Sequence, residues 1–210
     1  MHLTKRDIAD AAHVFRLNLI NSITGIKPGN MIGTVGEDGR TNLAVFSSVV
    51  HLGSHPPLIG FILRPEQEVR RHTWENIKKT GCYTINHIHS GFIKNAHYTS
   101  VKFDDTVSEF DACNLTEEYI NGFIAPFVAE STIKIGLKFK EIIPIALNNT
   151  SLVIGEVAHI ILPKEVVSPN GRVDLSAAES IGISGLNRYY SVEQKHEVPY
   201  ARINEVPKFL

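Results

Sequence analysis

The feature that most constrains this chain is a long alternating stretch in its second half. Residues 127–147 and 151–162 repeat apolar and polar positions with a period of two, and the turn pair Asn148-Asn149 separates them. Successive side chains of a strand point to opposite faces, so this pattern predicts two extended strands folded back on one another. In the second run Leu152, Ile154, Glu156 and Ala158 face one way, and Val153, Gly155, Val157 and His159 the other. A helix has a period near 3.6 and would scatter those residues around its surface.

Shorter segments continue the theme. Residues 31–35 predict an apolar strand, Glu37-Asp38-Gly39 a tight turn, and residues 41–50 the returning strand. His55-Pro56-Pro57 breaks the chain ahead of residues 58–63, which are apolar on both faces and predict a buried strand. Residues 82–88 predict another. Helices are few and short. One is expected over residues 4–15, capped by Thr4, with Ile8, Ala11, Ala12 and Phe15 at helical spacing. Another is expected over residues 70–81, with Thr73 as its N-cap and Gly81 as its stop, and a third over residues 91–98. Residues 18–26 fit either a helix end or a strand. Residues 27–30 read as a turn, residues 116–119 as helical, and residues 182–185 as a loop before the pair Tyr189-Tyr190. Many strands with few helices predict a mainly β fold, a β-barrel with a few short helices, and disfavour a doubly wound sheet. The 210 residues suit a single domain over 1–210, with a core at 30–190, an N-terminal helix and an extended tail.

Charge and cysteine content narrow the class. A net charge of -1 lacks the basic excess of a nucleic-acid or membrane-surface protein. No apolar run is long enough to span a bilayer. Cys82 and Cys113 do not make a disulfide framework. The expectation is a cytoplasmic protein with no nucleic acid and no membrane among its partners.

The most informative local feature is Arg70-Arg71-His72-Thr73, just before Trp74. A helix starting here turns its positive end toward three basic side chains, an unfavourable arrangement that a bound anion relieves. Helix amides, the Thr73 hydroxyl and a guanidinium are the donors a phosphate needs. The alternative is a solvated basic turn. Elsewhere, Ser47 and Ser48 lack the Gly-x-Ser-x-Gly elbow of a hydrolase, and no Gly-x-Gly-x-x-Gly marks a Rossmann site. His87 and His89 share one strand face without an evident third ligand, so a structural role is expected and no metal is assigned.

These pieces, taken in order, resemble the flavin reductase-like family of FMN-binding split barrels, which includes flavoredoxin-like proteins. The resemblance rests on Ile32-Gly33-Thr34-Val35 with residues 38–47, including Asn42-Leu43-Ala44-Val45-Phe46-Ser47, and on Pro56-Pro57-Leu58-Ile59-Gly60-Phe61. His72-Thr73-Trp74-Glu75-Asn76-Ile77 with Thr80-Gly81, then Asn86, Ser108-Glu109-Phe110 and Val153-Ile154-Gly155-Glu156-Val157 complete it. The chain departs from the family pattern at Val45, where proline is common, and at Arg71-His72, where a Lys-Asp pair is common.

The resemblance implies a homodimer binding one FMN per subunit near the interface. It implies that Asn42, Leu43 and Ala44 flank the isoalloxazine ring, largely through backbone groups. Ser47, Ser48, Arg71 and Thr73 would take the phosphate, with His72 close by. His97 and Tyr98 fall in a segment that overhangs the flavin, as contacts for substrate or nicotinamide or as exposed loop residues. NADH or NADPH would reduce the flavin, which passes electrons to free flavin, a partner protein or a small-molecule acceptor. The alternative is an FMN-binding electron carrier, flavoredoxin-like, that does not use NAD(P)H directly. No catalytic side chain is expected, because hydride transfer is the flavin's own chemistry.

Overall fold

The computed structural model describes residues 1–66, 69–104 and 106–208. Two helices, α1 (Lys5–Asp10) and α2 (His13–Ser22), precede β1 (Lys27–Pro28), β2 (Asn30–Val35), β3 (Thr41–Phe46), β4 (Val50–Ser54) and β5 (Pro57–Leu63). Then come α3 (His72–Thr80), β6 (Cys82–His87), α4 (Ile93–Tyr98) and α5 (Glu109–Ala112). The second half holds β7 (Glu117–Ile120), β8 (Phe123–Val128), β9 (Lys134–Ile145), β10 (Thr150–Ile161), β11 (Ile181–Ser184) and β12 (Arg188–Ser191).

The expected long hairpin is β9–β10, paired antiparallel from Lys134–Ile161 to Ile145–Thr150, but its first strand begins at Lys134: Phe127 and Val128 end β8, which pairs with β7, and residues 129–133 break the stretch expected as one strand. It lies within a seven-stranded antiparallel sheet of order β3-β2-β6-β9-β10-β5-β4. The sheet's two outer strands are consecutive in the chain and are joined by residues 47–49. Ser48 Oγ fastens this link to β5: it accepts the Ile62 amide at 3.1 Å and donates to the Ile62 carbonyl at 3.3 Å. The mainly β fold with a few short helices is therefore as the sequence predicts.

Alternation sorts most of the buried apolar residues into two main cores, beside two smaller clusters. Ile32, Phe61, Leu63, Tyr83, Ile85, Leu137 and Val153 fill one, and Trp74 and Ile77 of α3 pack onto it. Phe61 is fully buried, with its ring edge-on to Phe46 at 5.1 Å and to Tyr83 at 5.6 Å. The neighbour of Ile32 belongs elsewhere: Met31 joins Leu43, Ala96, Phe110 and Ile183 in a second cluster beneath α4 and α5. Register shifts interrupt β9–β10 at Ile154/Gly155 and Val157/His159. The first coincides with the Tyr83 hydroxyl, which would lie 2.3 Å from a Cβ at residue 155, so only glycine fits there.

Several local expectations change. The helix over residues 4–15 is two helices, α1 and α2, broken at Ala11-Ala12 although no proline or glycine stands there. The ambiguous residues 18–22 complete α2. The turn over residues 27–30 is strand, because Lys27-Pro28 pairs with β11. The strand over residues 41–50 is interrupted at residues 47–49, where the chain crosses between the outer strands. Residues 117–120 form β7, paired with β8, in place of a helix. Residues 182–184 lie in β11, and Tyr189 and Tyr190 in the paired strand β12, so this region is a hairpin where a loop was expected. Residues 192–208 hold one short 3-10 turn and no strand, and among the described residues no helix is long and apolar enough to cross a membrane.

Candidate functional site

The site is built where the edge strand β3 meets the start of α3. The C-terminal end of α3 is set by Gly81, whose φ of 68° closes the helix in the left-handed conformation. Its N-terminal end differs from the expectation. Arg71 holds the N-cap position and supplies no side-chain cap, while Thr73 lies inside the first turn. Thr73 is instead bound from β3: Asn42 Nδ2 donates to Thr73 Oγ1 at 3.1 Å, with the two residues 8% and 6% exposed. Because the Thr73 oxygen accepts that bond, its own hydrogen is directed to another acceptor.

The two arginines separate in role. Arg70, just ahead of the helix, is turned onto Glu75 of α3, Nε lying 2.9 Å from both carboxylate oxygens and Nη2 2.8 Å from Oε2. This acid in the first turn relieves part of the conflict between basic residues and the helix dipole without a bound anion. Arg71 is half-buried and donates from Nε to the Pro65 carbonyl at 3.2 Å. Burial first, and then the charge of Arg64, hold the Arg71 guanidinium below its ordinary pKa, with Glu66 opposing. Its environment is thus one that an anion stabilises.

Among the remaining flavin candidates, Ser48 is engaged with β5 as described, and Ser47 lies beside it in the same crossing segment. Leu43 is fully buried, and its backbone N–H donates to Glu109 Oε2 at 2.9 Å. Ala44 pairs with Ile32 in the β2–β3 ladder. Glu109, quoted above only as part of a resemblance, is a site neighbour that residue-by-residue reading missed. Nothing local marks it, because its partner Leu43 lies far off in sequence. His97 and Tyr98 end α4. His97 Nδ1 lies 2.9 Å from the Tyr189 hydroxyl, and its ring is edge-on to both Tyr98 and Tyr189. Tyr98 is exposed.

The histidine pair is divided between separate contacts. His89 Nδ1 accepts the Gly91 amide, and His87 Nδ1 lies 3.2 Å from Ser180 Oγ. Among the described residues no group of three or more His, Cys, Asp or Glu side chains could hold a metal ion. Burial pushes the His87 imidazole down to about 4. The unfolded chain therefore binds a proton that the folded chain refuses, and stability falls as pH drops from about 6.5 toward 4. The loss is on the order of 2 kcal/mol over that window. Denaturant unfolding of the wild type and His87→Asn at pH 7 and pH 4.5 checks it, the variant being the less acid-sensitive of the two.

Residues 24–174 match the model of the family described as flavin reductase like domain. The chain is similar to a split barrel protein assigned as a flavin reductase from Shewanella frigidimarina NCIMB 400, with 44% identity and a TM-score of 0.92. That match covers 96% of this chain and 100% of the other. It is also similar to flavoredoxin of Desulfovibrio vulgaris (Miyazaki F), with 22% identity, a TM-score of 0.72 and coverage of 84% and 92%. A third likeness is to an FMN-binding protein from Thermus thermophilus, with 16% identity, a TM-score of 0.70 and coverage of 83% and 91%. The last two likenesses are of fold alone.

Proposed function

The chain belongs to the flavin reductase like family, and on that premise we propose that it is an FMN-binding oxidoreductase reduced by NADH or NADPH. The observation that carries this reading is the group Asn42, Arg71 and Thr73 gathered at an uncapped helix start. A guanidinium, a hydroxyl with its hydrogen to spare and first-turn amides form a donor set suited to a phosphate monoester. Arg71 and Thr73 bind the phosphate, Asn42 orients the Thr73 hydroxyl, and His72 stands close by in the first turn of α3. Ser47 and Ser48 border the same end of β3. The edge strand from Asn42 to Ala44 borders the ring, and His97 and Tyr98 are the side chains offered to substrate or nicotinamide. Bound FMN supplies the chemistry, accepting a hydride and passing electrons on singly or in pairs. The acceptor in this reading is free flavin, a partner protein or a small molecule. Exposed Val14, Phe15, Leu17 and Ile20 on α2 support association of the chain as a homodimer. Two free, buried cysteines suit a cytoplasmic location.

The test is the visible spectrum of the purified protein, followed by anaerobic addition of NADH or NADPH. The expected result is a flavin spectrum, present on purification or after added FMN, that bleaches within seconds to minutes. A flavin spectrum that persists favours the electron carrier suggested by the flavoredoxin fold. A colourless protein that fails to bind added FMN removes the flavin reading.

A further inference from the structure

Glu109 stands beside the candidate site without an assigned part in it. It is only 9% exposed and opens α5, which is anchored on the β3 edge at two points. Ser108 Oγ lies 2.8 Å from Thr41 Oγ1, and Glu109 Oε2 accepts the Leu43 amide at 2.9 Å. Between these contacts Asn42 turns the opposite way, to Thr73. The strand edge is thus held from α5 by alternate residues while the intervening residue reaches the phosphate end.

Resting on the flavin reading above, we propose that Glu109 is a positioning residue of the site that holds the Leu43 amide and takes up one solvent proton when FMN binds. Burial favours the neutral acid and pushes the Glu109 carboxyl up, against the Leu43 amide, its own backbone N–H and the charge of His72. The His72 side chain, which opposes that shift, belongs to the first turn of α3. A phosphate seated at that turn claims the same positive field and adds negative charge of its own, so both effects drive Glu109 toward its protonated form. The other titratable neighbours are Cys113 on the same helix, whose thiol is raised by burial and by Glu109, and Glu117 of β7. Glu117 reaches this edge by accepting from Thr41 Oγ1 at 2.6 Å. Neither offers Glu109 a compensating positive charge.

The experiment is calorimetric titration of FMN into the full chain, in buffers of different ionisation enthalpy and across pH, for the wild type, Glu109→Gln and Glu109→Asp. Glutamine keeps an acceptor oxygen for the Leu43 amide and cannot titrate. The wild type is expected to take up about one proton more than Glu109→Gln where its linkage is steepest. Its affinity relative to that variant then falls by up to about tenfold per pH unit on the alkaline side. Glu109→Asp restores part of the linkage, and titration of the FMN phosphate is common to all three proteins. Riboflavin, which lacks the phosphate, produces no such difference. Equal proton uptake by the wild type and Glu109→Gln overturns the proposal while the flavin reading stands. Failure of the wild type to bind FMN at all overturns both.

Discussion

Replacing Arg71 by alanine weakens FMN binding by roughly ten- to a hundredfold, the worth of one charge-assisted hydrogen-bonding group. The side chain to be removed is the half-buried guanidinium at the α3 N-cap, under positive pressure from Arg64 and bonded through Nε to the Pro65 carbonyl. Loss of that bond alone costs the flavin-free protein about 1 kcal/mol, so the variant remains folded. Arg71→Lys recovers only part of the affinity, because an ammonium keeps the charge but loses the planar fork. Fluorescence quenching of added FMN measures both variants, and circular dichroism establishes that the fold is intact. An unchanged dissociation constant for Arg71→Ala would remove the phosphate assignment. Arg70→Ala is the internal contrast: Arg70 is committed to Glu75, so its removal changes affinity several-fold less.

Phe61→Ala lowers unfolding stability by about 3–5 kcal/mol, the usual range for deleting a buried aromatic ring. Phe61 touches both Phe46 at the end of β3 and Tyr83 on β6. Phe61 is fully buried among Ile32, Leu63, Tyr83, Leu137 and Val153, so its removal leaves a cavity within that cluster. Urea unfolding followed by tryptophan fluorescence reads the loss through Trp74, which packs in the same cluster. A change below about 1 kcal/mol would mean that the barrel collapses around the cavity.

What could be read from residues alone followed a physical division. The β9–β10 hairpin was legible because alternation and Asn148-Asn149 are local signals, and the α3 stop was legible because Gly81 is a local cause. The strand character of Lys27-Pro28 was not, since its partner β11 lies far along the chain. The Glu-rich segment of β7 carries no local strand signal, and it is extended because β8 pairs with it. The break between α1 and α2 occurs at two alanines, the best helix formers, so propensity pointed the wrong way. At the site, the basic cluster before Trp74 marked the α3 start in the sequence, and the family resemblance pointed to Asn42. The Asn42–Thr73 bond and the whole part of Glu109 depend on tertiary placement. They become visible only when β3, α3 and α5 are brought together.

The crossing at residues 47–49 has a practical side for anyone who wishes to cut or rewire this chain. Short surface connections are the usual choice for circular permutation or for splitting a protein into reassembling halves. Here such a cut would untie the two rim strands from one another, disturb the Ser48 clasp on Ile62, and loosen the very strands whose outer edges pair with no other strand of the sheet and are open to other chains. A fragment-complementation sensor made at this point would therefore favour clumping over clean reassembly. The exposed run at residues 192–208, which pairs with no strand, is the safer place to attach a label or a fusion partner.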